Sequence, residues 1–177
     1  MDEPIPTVVA DRFAVLTGEV VCFKCAAKTP VAALAVGEHR EGMELGEDGM
    51  DLVFERCFEP ALLGNITWID PDTLRAVKAV APWMDLMASA TAGEVYLGNS
   101  CTHCGVLQGD WFLREPEAPF FPMTDEAADL LVVVWQDVQL QAVADYGMSS
   151  WLDDLLERRG EYVSPLRSKR PRGAKGA

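Results

Sequence analysis

Histidine is scarce in this chain, and long apolar runs are missing from it. Its 177 residues include two histidines, His39 and His103, and no apolar stretch approaches the ~18 residues that a membrane-spanning helix needs. The opening segment, Met1-Asp2-Glu3-Pro4, is acidic where a secretory signal would be basic. We therefore expect a soluble, cytoplasmic protein that does not associate with a membrane.

Recognisable catalytic motifs are also missing. The sequence contains no glycine-rich phosphate-binding loop, no nucleophile elbow and no HExxH helix. His39 lies in an acidic segment, where a surface role is expected rather than that of a general base. With so little histidine, acid–base chemistry would have to rely on carboxylates, and we expect a protein that is not an enzyme.

Basic residues are few outside the carboxyl terminus. The formal charge is −13, and the only concentration of positive charge lies in the last eleven residues, at Arg167, Lys169, Arg170, Arg172 and Lys175. Counting Glu161, residues 161–177 carry +4, which leaves −17 on residues 1–160. An acidic body repels nucleic-acid phosphates and favours a basic partner, although it also serves solubility alone.

The length and the 49% hydrophobic content fit one globular domain with its own core. We assign residues 1–163 to this domain and residues 164–177 to a basic, disordered tail. The fold class predicted is α+β: antiparallel β-hairpins around a structural zinc ribbon, a helical insertion over residues 26–100, and a C-terminal helix.

The strand pattern is clearest around the cysteines and in the middle of the chain. We predict strands at 20–23, 31–36, 50–58 and 94–97, and another at 111–113. Gly18-Glu19 is interpreted as a turn, and Gly37 to Gly49 as an exposed acidic loop. Residues 8–16 and 130–144 fit either strand or helix, with two paired strands favoured for the second segment.

Helix signals are strongest at Asp70-Pro71-Asp72, where Asp70 can cap, Pro71 suits the first helical position and Asp72 complements the helix dipole. We expect this helix to kink or restart at Pro82 and to continue to about Gly93. Ser149-Ser150, followed by acidic residues and an apolar face, predicts a second helix.

Two CxxC pairs are the most specific feature of the sequence. Cys22 and Cys25 form one pair, and Cys101 and Cys104 form the other. A CxxC turn brings two sulfurs close together, and two such turns supply the four thiolates of a closed, structural Zn²⁺ site. Gly105 follows the second pair, where a tight turn needs positive φ, whereas Ala26 follows the first.

These two segments, Val20-Val21-Cys22-Phe23-Lys24-Cys25 and Asn99-Ser100-Cys101-Thr102-His103-Cys104-Gly105, resemble the halves of a zinc ribbon. The resemblance covers about thirty residues and implies one structural zinc ion and two hairpins, with no activity attached. The departure from a compact ribbon is the 75 residues between the pairs. Their added closure entropy is only ~1.2 kcal/mol, against roughly 10 to 16 kcal/mol from zinc binding.

Other interpretations of the cysteines remain open. They could form a redox pair, an iron–sulfur site or a set of buried unliganded thiols, and His103 could replace a cysteine as ligand. Cys57 lies apart and is expected to be an inert thiol.

Three functions follow as hypotheses, and the third of them is a purely architectural subunit of a larger assembly. The first is a zinc-stabilised binding protein of the immunity or inhibitor type, which masks a basic protein partner. The second is a zinc-ribbon accessory protein of a nucleic-acid-processing system, which contacts phosphates through the basic tail.

Overall fold

The computed structural model describes residues 4–45 and 51–162. Within these ranges the chain forms eleven strands and four helices. Their bounds are β1 Val8–Ala10, β2 Phe13–Val21, β3 Lys28–Val36, β4 His39–Leu45, β5 Asp51–Cys57, β6 Ala61–Ile69, α1 Pro71–Val80, β7 Met84–Ser89, β8 Glu94–Ser100, β9 Leu107–Gln108, α2 Asp110–Leu113, α3 Asp125–Asp129, β10 Val132–Gln136, β11 Leu140–Met148 and α4 Ser150–Arg158.

Two antiparallel sheets organise these elements. Eight strands form the large sheet in the order β10-β2-β3-β6-β11-β1-β4-β5, and β7, β8 and β9 form the small one. The structure is therefore α+β, as predicted. Among the described residues of the segment between the CxxC pairs, α1 is the one helix, and most of the segment consists of strands β3 to β8.

Both faces of the large sheet are covered, and this explains the continuous apolar runs of β2 and β3. Phe13 and Val15 of β2 pack with Val77 of α1 and Leu97 of the small sheet. The alternate residues of β2 belong to a second core on the opposite face, together with Leu113, Phe120, Ala128 and the α4 residues Leu152, Leu155 and Leu156. Burying each leucine stabilises the fold by roughly 1.5–3 kcal/mol.

Helix α1 begins as predicted. The Asp70 side chain accepts hydrogen bonds from the backbone amides of Asp72 and Thr73, and Pro71 occupies the first turn. The predicted continuation beyond Pro82 is wrong, because residues 84–89 form strand β7 paired with β8. Pairing with β8 outweighs any local helical preference of this segment.

Three other local predictions are also wrong. Gly18-Glu19 lies inside β2, paired with Val31 and Pro30 of β3. Residues 39–45 of the predicted acidic loop form β4, and residues 46–49 of that loop lie outside the described residues. Residues 111–113 belong to helix α2 rather than to a strand.

The segments 8–16 and 130–144 resolve into strands. β10 contains the apolar residues that follow Leu131. It lies at an edge of the sheet, and its residues are exposed or half-buried. The expected pairing with the next strand does not occur, because β10 pairs with β2, whereas β11 pairs with β6 and β1. The C-terminal helix is confirmed as α4. None of the described helices has the length and apolar character needed to cross a membrane.

Candidate metal centre

The first CxxC turn joins β2 to β3. The Cys22 amide donates to the Ala27 carbonyl at 2.9 Å, and the Ala26 amide donates to the Cys22 carbonyl at 2.9 Å. These bonds close a tight turn that holds the Cys22 and Cys25 side chains on the same side. The turn requires positive φ at Ala26, which has φ 59°.

The second CxxC turn joins β8 to β9 and repeats the first. The Cys101 amide donates to the Val106 carbonyl at 2.9 Å, and the Gly105 amide donates to the Cys101 carbonyl at 2.8 Å. Gly105 has φ 71°, matching Ala26 at the equivalent position. Each turn is therefore one half of a pseudo-symmetric pair.

The four sulfurs converge between the two turns. Cys22 Sγ lies 3.7 Å from Cys104 Sγ, and Cys25 Sγ lies 3.7 Å from Cys101 Sγ. All four lie within 4.8 Å of one another. A disulfide would need about 2.05 Å. Four thiolates at ~2.3 Å from a tetrahedral ion stand about 3.8 Å apart, so the cluster matches the size of a metal site.

The cluster lies partly at the surface. Cys22 and Cys101 are buried, whereas Cys25 and Cys104 are exposed. The Gln108 side-chain amide donates to Cys22 Sγ at 3.4 Å, and the His103 backbone amide donates to Cys101 Sγ at 3.4 Å. Donors of this kind orient thiolates and stabilise their negative charge. This supporting shell was not predicted, because Gln108 becomes adjacent to Cys22 only through tertiary folding.

The thiol pKa values diverge across the cluster. Burial raises the pKa of Cys101, but the backbone amides of Cys104 and His103 and the neighbouring thiols lower it by more, to about 6. The Ala27 amide lowers the pKa of Cys25, but burial and the other three thiols raise it by more, to about 11. The sulfurs therefore share protons, and a bound cation would displace those protons.

Hydrogen bonds also tie the two turns to each other. The Thr102 amide donates to the buried Thr29 hydroxyl at 3.0 Å, and His103 Nε2 contacts the Lys28 carbonyl at 3.1 Å. His103 is exposed, as predicted, and is not one of the four clustered side chains. These contacts fix the relative position of the turns through the protein itself.

Asn99 links the two sheets behind the cluster. Its side chain is fully buried, accepts from the Ala32 amide at 2.7 Å and donates to the Ala32 carbonyl at 2.9 Å. The same oxygen accepts from Trp83 Nε1 at 3.1 Å. The Asn99 side chain thus pairs with the backbone of β3 as a neighbouring strand would. This pairing fixes the second CxxC turn next to the first.

The four predicted cysteines are brought together and could hold a metal ion such as zinc. Neither CxxC opens a helix, so the helix dipole that would favour a redox pair is not available to either thiol. The predicted nucleic-acid contacts Arg167, Lys169, Arg170, Arg172 and Lys175 lie outside the described residues.

A second cluster was not predicted. His39, expected at the surface, is buried at 2% exposure, with Glu41 and Cys57 beside it. Burial and the neighbouring Glu41, Glu55 and Glu59 raise the pKa of Cys57 to about 11. The sequence signal was His39-x-Glu41, whose alternate spacing places both side chains on one face of a strand.

No protein-family model matches this chain, and neither the curated proteins nor the solved structures include one that matches it.

Proposed function

We propose that this chain is a non-catalytic binding protein stabilised by one structural Zn²⁺ ion, which Cys22, Cys25, Cys101 and Cys104 hold as a zinc ribbon. Four sulfur donors in a tetrahedral arrangement are typical of zinc or of iron–sulfur centres. Sulfurs 3.7 Å apart fit a single ion rather than a sulfide-bridged cluster, and zinc is the usual single ion of structural four-cysteine sites. A site with four protein ligands has no open position for a substrate, so its role is structural.

The binding role is supported by an open cleft next to the first CxxC turn. This cleft has a volume of about 700 Å³. Its lining includes Val21, Leu130 and Val132, whose side chains are 63%, 81% and 56% exposed. Exposed apolar side chains that converge in a concavity are typical of a docking surface.

The cleft also contains an unpaired strand edge, and this is the observation that carries the proposal. β10 pairs with β2 only as far as Val132 opposite Thr17. β2 continues through Gly18 to Val21, where β3 pairs with its other side. Among the described residues no strand covers the β10 side of that segment. An extended segment of a partner could therefore add to β2 in line with β10.

Charge supports a basic protein as the partner. The chain carries −13 overall, and this charge would attract a basic surface and accelerate association. We infer a protein of the immunity or inhibitor type, which places a segment of its basic target along β2. The zinc ion would stiffen the end of the β2–β3 hairpin that borders this cleft.

The test is capture of a partner by matched charge variants. Leu130→Glu should weaken binding at least about tenfold, because the interface loses the burial of one leucine. Val95→Glu adds the same charge at another exposed apolar position, 50% exposed on β8, and should bind like the parent. Amide hydrogen exchange at residues 18–21 should slow in the complex.

A supporting result is a stoichiometric, basic partner that requires Leu130 and dissociates as salt is raised. A partner that ignores Leu130→Glu, or that leaves exchange at residues 18–21 unchanged, would refute the docking site. Recovery of RNA or DNA that depends on residues 164–177 would instead favour the nucleic-acid accessory function.

A further inference from the structure

The second cluster of ligand-type side chains lies at the β4–β5 end of the large sheet. His39 and Glu41 are two residues apart in β4 and therefore point to the same face. Cys57 of β5 pairs directly with His39, which places its side chain on that face as well. The ring of Tyr146, on β11, lies edge-on 6.4 Å from the His39 ring.

Both ring nitrogens of His39 have a polar partner. Its Nδ1 lies 2.7 Å from the Gly37 carbonyl, which can only accept, so Nδ1 carries a proton. Its Nε2 lies 2.8 Å from Glu41 Oε1. In a neutral ring that nitrogen is also an acceptor, so two acceptors would face each other. At 2.8 Å a proton lies between them, and a metal ion could replace that proton only if the two atoms moved apart.

The fixed orientation of the His39 ring favours metal binding at Nε2. A metal-binding histidine almost always donates its other N–H to a carbonyl or carboxylate, as His39 does to Gly37. Glu41 also interacts with the Cys57 thiol and the Tyr146 hydroxyl, so its carboxylate is the centre of the cluster. The His39 side chain is fully buried, and 13% of the Glu41 side chain remains exposed, which leaves a path from solvent.

We propose that His39 Nε2, the Glu41 carboxylate and Cys57 Sγ form a second site, specific for a divalent transition-metal ion of the zinc class. The three donor atoms lie within 4.8 Å of one another. Tetrahedral bonds of about 2.0–2.3 Å require donors about 3.3–3.8 Å apart, so Glu41 must move by roughly half an ångström from His39.

Three protein ligands leave the fourth position of such an ion open. That position would take water or a small exogenous ligand. This arrangement differs in kind from the closed four-cysteine cluster. The inference does not depend on the proposed binding function, because it uses none of the residues of the first site or of the cleft.

Cobalt titration of the full-length protein tests the second site. With one equivalent of zinc filling the four-cysteine cluster and no excess zinc present, Co²⁺ should bind with one further equivalent and give a weak band from a single thiolate. Cys57→Ser and the near-isosteric Glu41→Gln should each weaken this binding more than about 100-fold. Tyr146→Phe should retain it, since the tyrosine is not a ligand.

Cys101→Ser separates the two sites, because it should lose the zinc equivalent and keep the cobalt one. A four-cysteine site that does not bind zinc would therefore be distinguished from a second site that does not bind cobalt. Absence of a further Co²⁺ equivalent in the parent would overturn the proposal and assign the cation to a proton on His39. Unchanged cobalt binding by Cys57→Ser and Glu41→Gln would overturn it as well.

Discussion

Zinc should stabilise this protein, and the free energy of unfolding should rise with the logarithm of the free zinc concentration. Because 75 residues separate Cys25 from Cys101, the unfolded chain does not hold the four thiols together. An ion that binds only the folded state adds about 1.4 kcal/mol to the free energy of unfolding for each tenfold rise in free zinc. At 1,000 times the dissociation constant the total is about 4.1 kcal/mol.

Loop-closure entropy gives a second estimate of the stabilisation by zinc, and the two estimates are similar in size. A permanent cross-link closing those 75 residues would stabilise by about 4.5 kcal/mol through loop entropy. For a chain of this length, a loss of about 4 kcal/mol lowers the melting temperature by roughly 8 to 16 °C. The zinc-free protein should remain folded, because the cores on both faces of the large sheet do not involve the cysteines.

The assay is urea unfolding in zinc buffered by a chelator. Cys57→Ser serves as the reference protein, since its four-cysteine cluster is intact and the second cluster is broken. Adding Cys101→Ser to that reference should abolish the dependence on zinc. A reference protein whose stability does not change with free zinc, or an equal slope in the double variant, would refute this reasoning.

Two further predictions concern backbone positions, and urea unfolding measures both. Gly64→Ala should destabilise by about 1–3 kcal/mol. The new Cβ would lie 2.7 Å from the Arg114 guanidinium, which is held in place because it donates to the Leu63 carbonyl and pairs with Asp110. Gly147→Ala on the neighbouring strand, with nothing within 4 Å, should change stability by less than about 0.5 kcal/mol, and equal effects would contradict the packing described. Ala26→Gly should raise the free energy of unfolding by about 1 kcal/mol, and Gly105→Ala should lower it by about the same amount, because both residues have positive φ. A change of the same sign in both variants would contradict the equivalence of the two CxxC turns.

The four-cysteine cluster was predictable because its chemistry is local. Each CxxC turn needs only a few residues, and the pairing of the two turns follows from what four thiols can do. The cap of α1 by Asp70 was predictable for the same reason, since it depends on neighbours in sequence. The zinc-ribbon assignment remains a proposal.

The errors arose where tertiary contacts decide the structure. The apolar residues of Met84–Ser89 are spaced as in a helix, but this segment pairs with β8 as a strand. His39 sits among acidic residues in sequence, yet β4 places it in a buried cluster. The edge position of β10 depends on which strand pairs with β2, and that information is not present in either strand alone.

Zinc-edge X-ray absorption of the zinc-loaded Cys57→Ser protein tests the central claim most directly. The account predicts one zinc per chain with four sulfur neighbours at about 2.3 Å. A shell that includes nitrogen or oxygen, or zinc bound at far less than one per chain, would contradict it.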